Sequence, residues 1–66
     1  MTKEFGDHLR QLRIKKGYTQ EQVAISLEIN RTTYTKYETG VTQPSLEQLK
    51  KICKLFEVDY NTILNY

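Results

Sequence analysis

The chain has one cysteine, one histidine, one proline and no tryptophan among its 66 residues. A lone cysteine cannot form an internal disulfide, and Cys53 with His8 is too few donors for a metal cluster. No apolar run approaches membrane-spanning length, and the N-terminus MTKEFGDHLR is charged where a secretory leader needs an apolar stretch. A soluble, cytoplasmic protein with no membrane partner is expected, and Met1 favours a natural N-terminus. No nucleophile–base pair and no ligand set stands out, and a chain this short has no room for a catalytic cleft on a scaffold. It is therefore not expected to be an enzyme, to carry a cofactor or to hold a small-molecule effector site. No repeat, low-complexity segment or linker interrupts it. Residues 1–66 are read as one domain, small enough that roughly 60% of the unfolded surface is buried on folding.

What is present is a set of helix punctuation marks. Phe5, Leu9 and Leu12 recur at helical spacing over residues 4–16, and Gly17 stops that helix. Thr19 caps a second helix at Gln20–Leu27, with Gln22 completing a capping box and Val23, Ala24 and Leu27 on one face. Asn30 caps a third, Arg31–Thr39, with Tyr34 and Tyr37 inward and Gly40 closing it. After Pro44, Ser45 caps a fourth, with Gln48 completing another box and Leu46, Leu49, Ile52, Cys53 and Phe56 forming a broad apolar stripe. Asp59 caps a short fifth, from Tyr60 to about residue 65. Tyr18 and Val23, Ile29 and Tyr34, and Val58 and Ile63 stand at hydrophobic-staple positions around three of these caps. An all-α domain of five helices follows.

The segment TQEQVAISLEINRTTYTKYETG reads as two helices joined by a short turn, a helix-turn-helix unit whose second helix can enter a DNA major groove. With Tyr34 and Tyr37 inward, Thr32, Thr35, Lys36 and Thr39 point outward and Arg31 stands at the leading end. Thr32, Thr33, Thr35 and Thr39 sacrifice helix propensity, since β-branched side chains lose χ1 freedom in a helix. Short hydroxyls and methyls beside Arg31 and Lys36 suit base edges and thymine methyls. Arg31 can reach a base, a phosphate or only water. Net charge is +2, from ten Lys/Arg against eight Asp/Glu, so electrostatic attraction is local rather than global. Arg10, Arg13, Lys15 and Lys16 lead towards Arg31, while Lys50, Lys51 and Lys54 read as the solvated face of the fourth helix. Cys53 reads as a small buried apolar residue, and His8 as exposed and incidental.

LRQLRIKKGYTQEQVA, NRTTYTKYETG, PSLEQLKKI and EVDYNTIL, in this order and spacing, resemble the lambda-repressor-like, Cro/Xre-type helix-turn-helix family over nearly the whole chain. The resemblance implies that Gln20, beside Thr19 at the start of the second helix, contacts a phosphate and braces the third. It implies that Arg31, Thr32 and Lys36 read base edges, and that the Asn30 cap lies near the DNA backbone. Arg13 and Glu38 match a pair that ties the first helix to the third, and Tyr60, Ile63, Leu64 and Tyr66 lie where relatives dimerise. Two departures stand out. Glu28 occupies a turn position where relatives often have glycine, and the uncharged loop at 41–43 lacks their phosphate-clamping Lys and Arg. Thr39, Thr42 and Gln43 can still offer neutral hydrogen bonds to phosphates. The expectation is a transcriptional regulator, a repressor, binding a palindromic site on double-stranded DNA as a homodimer. The alternative is a protein-interaction adaptor that has lost DNA affinity.

Overall fold

Four of the helix starts are made by side chains that satisfy amides left open at a helix N-terminus. Thr19 Oγ1 accepts the Gln22 amide at 3.0 Å while Gln22 Oε1 accepts the Thr19 amide at 2.8 Å, a complete capping box. Asn30 Oδ1 accepts the Thr33 amide at 2.8 Å, Ser45 Oγ the Gln48 amide at 3.1 Å, and Asp59 Oδ1 the Thr62 amide at 2.8 Å. The computed structural model describes residues 3–65, and among them the chain forms α1 (Lys3–Lys15), α2 (Gln20–Leu27), α3 (Arg31–Thr39), α4 (Leu46–Phe56) and α5 (Tyr60–Leu64), with no strand. The second expected capping box is only half made. Gln48 is half-buried and its Oε1 has no hydrogen-bond partner among the described residues, so it does not fold back over the Ser45 amide.

The ends of α1, α2 and α4 share one device, whose left-handed residue and five-residue hydrogen bond recur at Gly40 and Val41 after α3. Gly17, Glu28 and Glu57 take left-handed conformations at φ 83°, 59° and 57°. The apolar residue after each then donates its amide five residues back: Tyr18 to Arg13 O at 3.1 Å, Ile29 to Ala24 O at 3.0 Å, and Val58 to Cys53 O at 3.0 Å. Tyr18, Ile29 and Val58 are partly buried against the core. Each immediately precedes the next N-cap, so one side chain both closes a helix and orients the entry to another. Glu28, at the turn position where relatives often have glycine, does take the left-handed conformation. Glu57 is a second such position, and for a non-glycine residue each costs on the order of 1 kcal/mol.

The core gathers Phe5 and Leu9 from α1, Val23, Ala24 and Leu27 from α2, Tyr34 and Tyr37 from α3, Leu49, Ile52, Cys53 and Phe56 from α4, and Ile63 from α5. Tyr18 stacks on Phe56, and Tyr34 meets Tyr37 edge to face. Both α1 and α2 pack on α3, α4 packs on α2, and α5 on α1. Burial holds the Cys53 thiol above its ordinary pKa, ahead of the effect of Asp59, which keeps it protonated and inert. Three expectations need correction. Leu46 is 67% exposed, because it lies in the first turn of α4, ahead of the buried stripe that begins at Leu49. Ile63 is fully buried in the core, so it has no surface left to offer a partner. His8 is half-buried and donates from Nε2 to the Thr62 carbonyl at 2.8 Å, which ties α1 to α5.

The α5 cap is sensitive to acid. Its carboxylate is held below the ordinary aspartate pKa of about 3.9 by the Thr62 backbone amide first and the Thr62 hydroxyl next. A carboxylate depressed on folding contributes stability above its unfolded pKa and loses it as pH falls through the folded value. The Thr62 amide resonance should therefore move in an acid titration only as the pH falls below the ordinary aspartate range. In Asp59→Asn, which keeps the cap acceptor without the ionisation, that movement should vanish; its persistence would show that another group drives it.

Candidate nucleic-acid interface

The base of the site is a buried ion pair. Arg13 Nε donates to Glu38 Oε2 at 2.6 Å and Arg13 Nη2 to Glu38 Oε1 at 3.2 Å, a two-pronged contact in which Glu38 is 3% exposed and Arg13 9%. Arg13 Nη1 also donates to the Tyr18 carbonyl at 2.9 Å. The guanidinium is thus held by the end of its own helix as well as by α3, and its hydrogen bond to Glu38 raises its pKa further above the ordinary range. Tyr34 lies beside the pair. Its buried hydroxyl has no hydrogen-bond partner among the described residues, and burial, ahead of the nearby Glu38 carboxylate, keeps the phenol protonated.

The network continues outward through α2. Gln20 Nε2 donates to Glu38 Oε1 at 3.1 Å, and Thr35 Oγ1 donates to Gln20 Oε1 at 3.0 Å. Arg13, Glu38, Gln20 and Thr35 therefore form one chain of hydrogen bonds that locks α1, α2 and α3 together. This changes the place of Thr35. It is half-buried and bonded under the start of α2, and does not stand free on the outward face with Thr32 and Lys36. The physical reason is tertiary: the helical wheel of α3 carries no information about a glutamine reaching across from α2.

Arg31, Thr32 and Lys36 are exposed on α3 and make no side-chain hydrogen bond or ion pair with another described residue. Thr39 is exposed too, with its hydroxyl donating to the Lys36 carbonyl at 3.3 Å. That carbonyl also receives the amides of Gly40, Val41 and Thr42, which winds the start of the uncharged loop against the end of α3. Thr42 and Gln43 are exposed in this loop. At the other end of α3, Asn30 Oδ1 holds both the amide and the hydroxyl of Thr33, at 2.8 Å and 2.9 Å, so Thr33 serves the cap.

Thr19 and Gln20 line an open groove at the N-terminus of α2, together with Arg10, Arg13, Tyr18, Glu21 and Arg31. Arg10 was expected only as part of the basic stretch leading towards Arg31, not as a residue of the site. It sits three residues before Arg13, hence beside it on the same side of α1, and the fold brings it to the same groove as Arg31. The available signal was that spacing from Arg13, which the family resemblance pairs with Glu38 of the third helix. Of the residues expected to meet a second subunit, Tyr60 and Leu64 are 39% and 42% exposed on α5, Ile63 is in the core, and Tyr66 lies outside the described residues.

Comparison with known proteins places this geometry among relatives. A family model described as helix-turn-helix matches residues 9–63. The chain is 44% identical over 62 residues to the HTH-type transcriptional activator BcrR of Enterococcus faecalis, a match covering 94% of this chain and 30% of that protein. It is 35% identical over 54 residues to the cryptic phage CTXphi transcriptional repressor RstR of Vibrio cholerae, covering 82% of this chain and 49% of the repressor. The chain thus spans half or less of the length of these two relatives. The crystal structure of the restriction-modification controller protein C.AhdI from Aeromonas hydrophila superposes with a TM-score of 0.84 at 28% identity, covering 91% of this chain and 87% of the controller.

Proposed function

The chain belongs to the helix-turn-helix family of the lambda-repressor-like, Cro/Xre type, and from that premise we propose that it is a transcriptional regulator that reads a palindromic operator as a homodimer. The observation that carries this reading is the contrast along α3. Its inward residues are fixed in a buried network, while Arg31, Thr32 and Lys36 project with their hydrogen-bonding groups uncommitted. An α-helix with its side chains is about 10–12 Å across, a fit for a major groove about 12 Å wide, and α3 offers nine residues to it. In this reading Arg31, Thr32 and Lys36 contact base edges. Thr19, Gln20, Asn30, Thr39, Thr42 and Gln43 hold the phosphates by neutral hydrogen bonds, with Arg10 adding a charged one at the edge of the α2 groove.

Size supports the dimer. The longest dimension of the fold is 26 Å, shorter than the roughly 34–36 Å between half-sites one helical turn apart. One copy therefore covers one half-site, and Tyr60 and Leu64 supply the exposed apolar surface for a second copy. Repression then comes from occluding a promoter. The place of action is the cytoplasm, where bacterial DNA lies; no helix among the described residues is long and apolar enough to cross a membrane.

The test is selection of bound sequences from a random duplex library at about physiological salt, with wild type and Lys36→Ala side by side. The wild type should enrich a palindrome with half-sites one turn apart. Lys36→Ala should lose about 1–3 kcal/mol at one base position in each half-site and relax the preference there. An asymmetric single site would keep DNA reading and remove the homodimer. No enrichment by the folded wild type would turn the assignment to an adaptor that binds protein, the reading that suits the uncharged loop and exposed Val41.

A further inference from the structure

We propose that Thr35 is a positioning residue, which sets the orientation of the Gln20 side chain at the DNA backbone and does not itself read a base. The inference rests on the DNA-binding reading above and deepens it. Its basis is that every proton in the network has only one consistent place. Arg13 has donors only, so the Glu38 oxygens facing it must accept. An ionised Glu38 can only accept from Gln20 as well, so the amide nitrogen of Gln20 must face Glu38. That leaves Gln20 Oε1 towards Thr35, whose hydroxyl must then be the donor. The buried arginine thus dictates, through Glu38, which end of the Gln20 amide faces inward, and the Thr35 hydroxyl fixes the other end in place.

The amide carries two N–H groups and Glu38 takes one, so a second N–H remains on a residue that lines the open groove at the start of α2. A phosphate in that groove would meet a donor already oriented, beside the unsatisfied amides of the helix N-terminus. Without the Thr35 hydroxyl, Gln20 Oε1 loses its anchor and the side chain is held at one end only. Thr35 also places this constraint on α3 itself, so the phosphate contact and the base-reading helix are referenced to each other across the turn.

The experiment compares Thr35→Val, which keeps the shape and removes the donor, with Thr35→Ser, which keeps the donor and removes the methyl. Affinity is measured for the wild-type consensus and for each of its single-base variants, in the wild-type and Gln20→Ala backgrounds. Thr35→Val should weaken binding to all of these duplexes by the same factor, roughly fivefold, the worth of one ordinary hydrogen bond. Thr35→Ser should restore near-wild-type binding, and Thr35→Val should have no further effect once Gln20 is alanine. A changed preference at one base pair, a loss that adds to that of Gln20→Ala, or no loss at all would each overturn the proposal. If the wild type selects no sequence, the groove reading fails and takes this proposal with it. If it does select and Thr35→Val alters one base position, only the positioning role fails.

Discussion

Glu38→Ala is expected to remove about 3–5 kcal/mol of folding stability, read from urea unfolding with the free-energy change extrapolated to water. The size follows from what is left behind. Arg13 remains mostly buried with its charge uncompensated, and Gln20 Nε2 loses the acceptor at 3.1 Å. A protein of this length has of the order of 3–10 kcal/mol in total, so the variant should lie at or beyond the edge of folding at 25 °C. The pair itself is not the source of that energy, since desolvation offsets much of the attraction between two buried charges. Combining Arg13→Met with Glu38→Leu should therefore recover most of the loss. The double variant should nevertheless bind DNA poorly, because Gln20 Nε2 would lose its Glu38 acceptor and the side chain would be held to α3 by Thr35 alone. A loss below about 1 kcal/mol in Glu38→Ala would be that of a solvated surface pair, and would contradict the burial seen here.

Some parts of this protein could be read from its sequence and others could not. Helix boundaries could, because they are set by local chemistry. Thr19, Asn30, Ser45 and Asp59 each find their amide within three residues, and Tyr18, Ile29 and Val58 repeat the order of turn residue, apolar residue and cap. That same order, present at Glu28-Ile29-Asn30 and again at Glu57-Val58-Asp59, marks Glu57 as a left-handed residue as clearly as it marks Glu28. Residue facing was less legible where an element is short. Ile63 stands at a staple position with Val58, which already turns it inward and is incompatible with a place in a dimer surface. Leu46 shows the opposite limit: its spacing fits the α4 stripe, but periodicity does not say where the packing partner ends. Contacts between helices were the least accessible. The Arg13–Glu38 pair was implied by family resemblance alone, and neither the Thr35–Gln20 bond nor the convergence of Arg10 with Arg31 has a signature within one helix.

Gly6 had no signature of its own either, and it leads to the second large effect. Gly6→Ala is expected to destabilise the fold by about 2–3 kcal/mol, against the gain of up to about 1 kcal/mol that the same change gives in an ordinary helix interior. A Cβ at this position would lie 2.3 Å from the Glu38 carbonyl oxygen, 2.8 Å from its carbon and 2.9 Å from the Tyr37 carbonyl oxygen. All three are backbone atoms, so no rotamer change can make room. Either α1 moves off α3 or the last turn of α3 distorts. Phe5 and Leu9 flank Gly6 on α1 and are almost fully buried, so separating the helices opens the core as well. The residue struck is also the one whose carboxylate receives Arg13 from further along α1. Close approach at Gly6 and the ion pair at Arg13 are thus two contacts of one helix with one residue of α3, and the first sets the distance over which the second can form. Gly6→Ala should therefore lower operator affinity by more than the small remaining unfolded fraction explains, measured by titration at a temperature where the variant is folded. A stability increase of the ordinary helix-propensity size would show instead that α1 and α3 do not approach so closely.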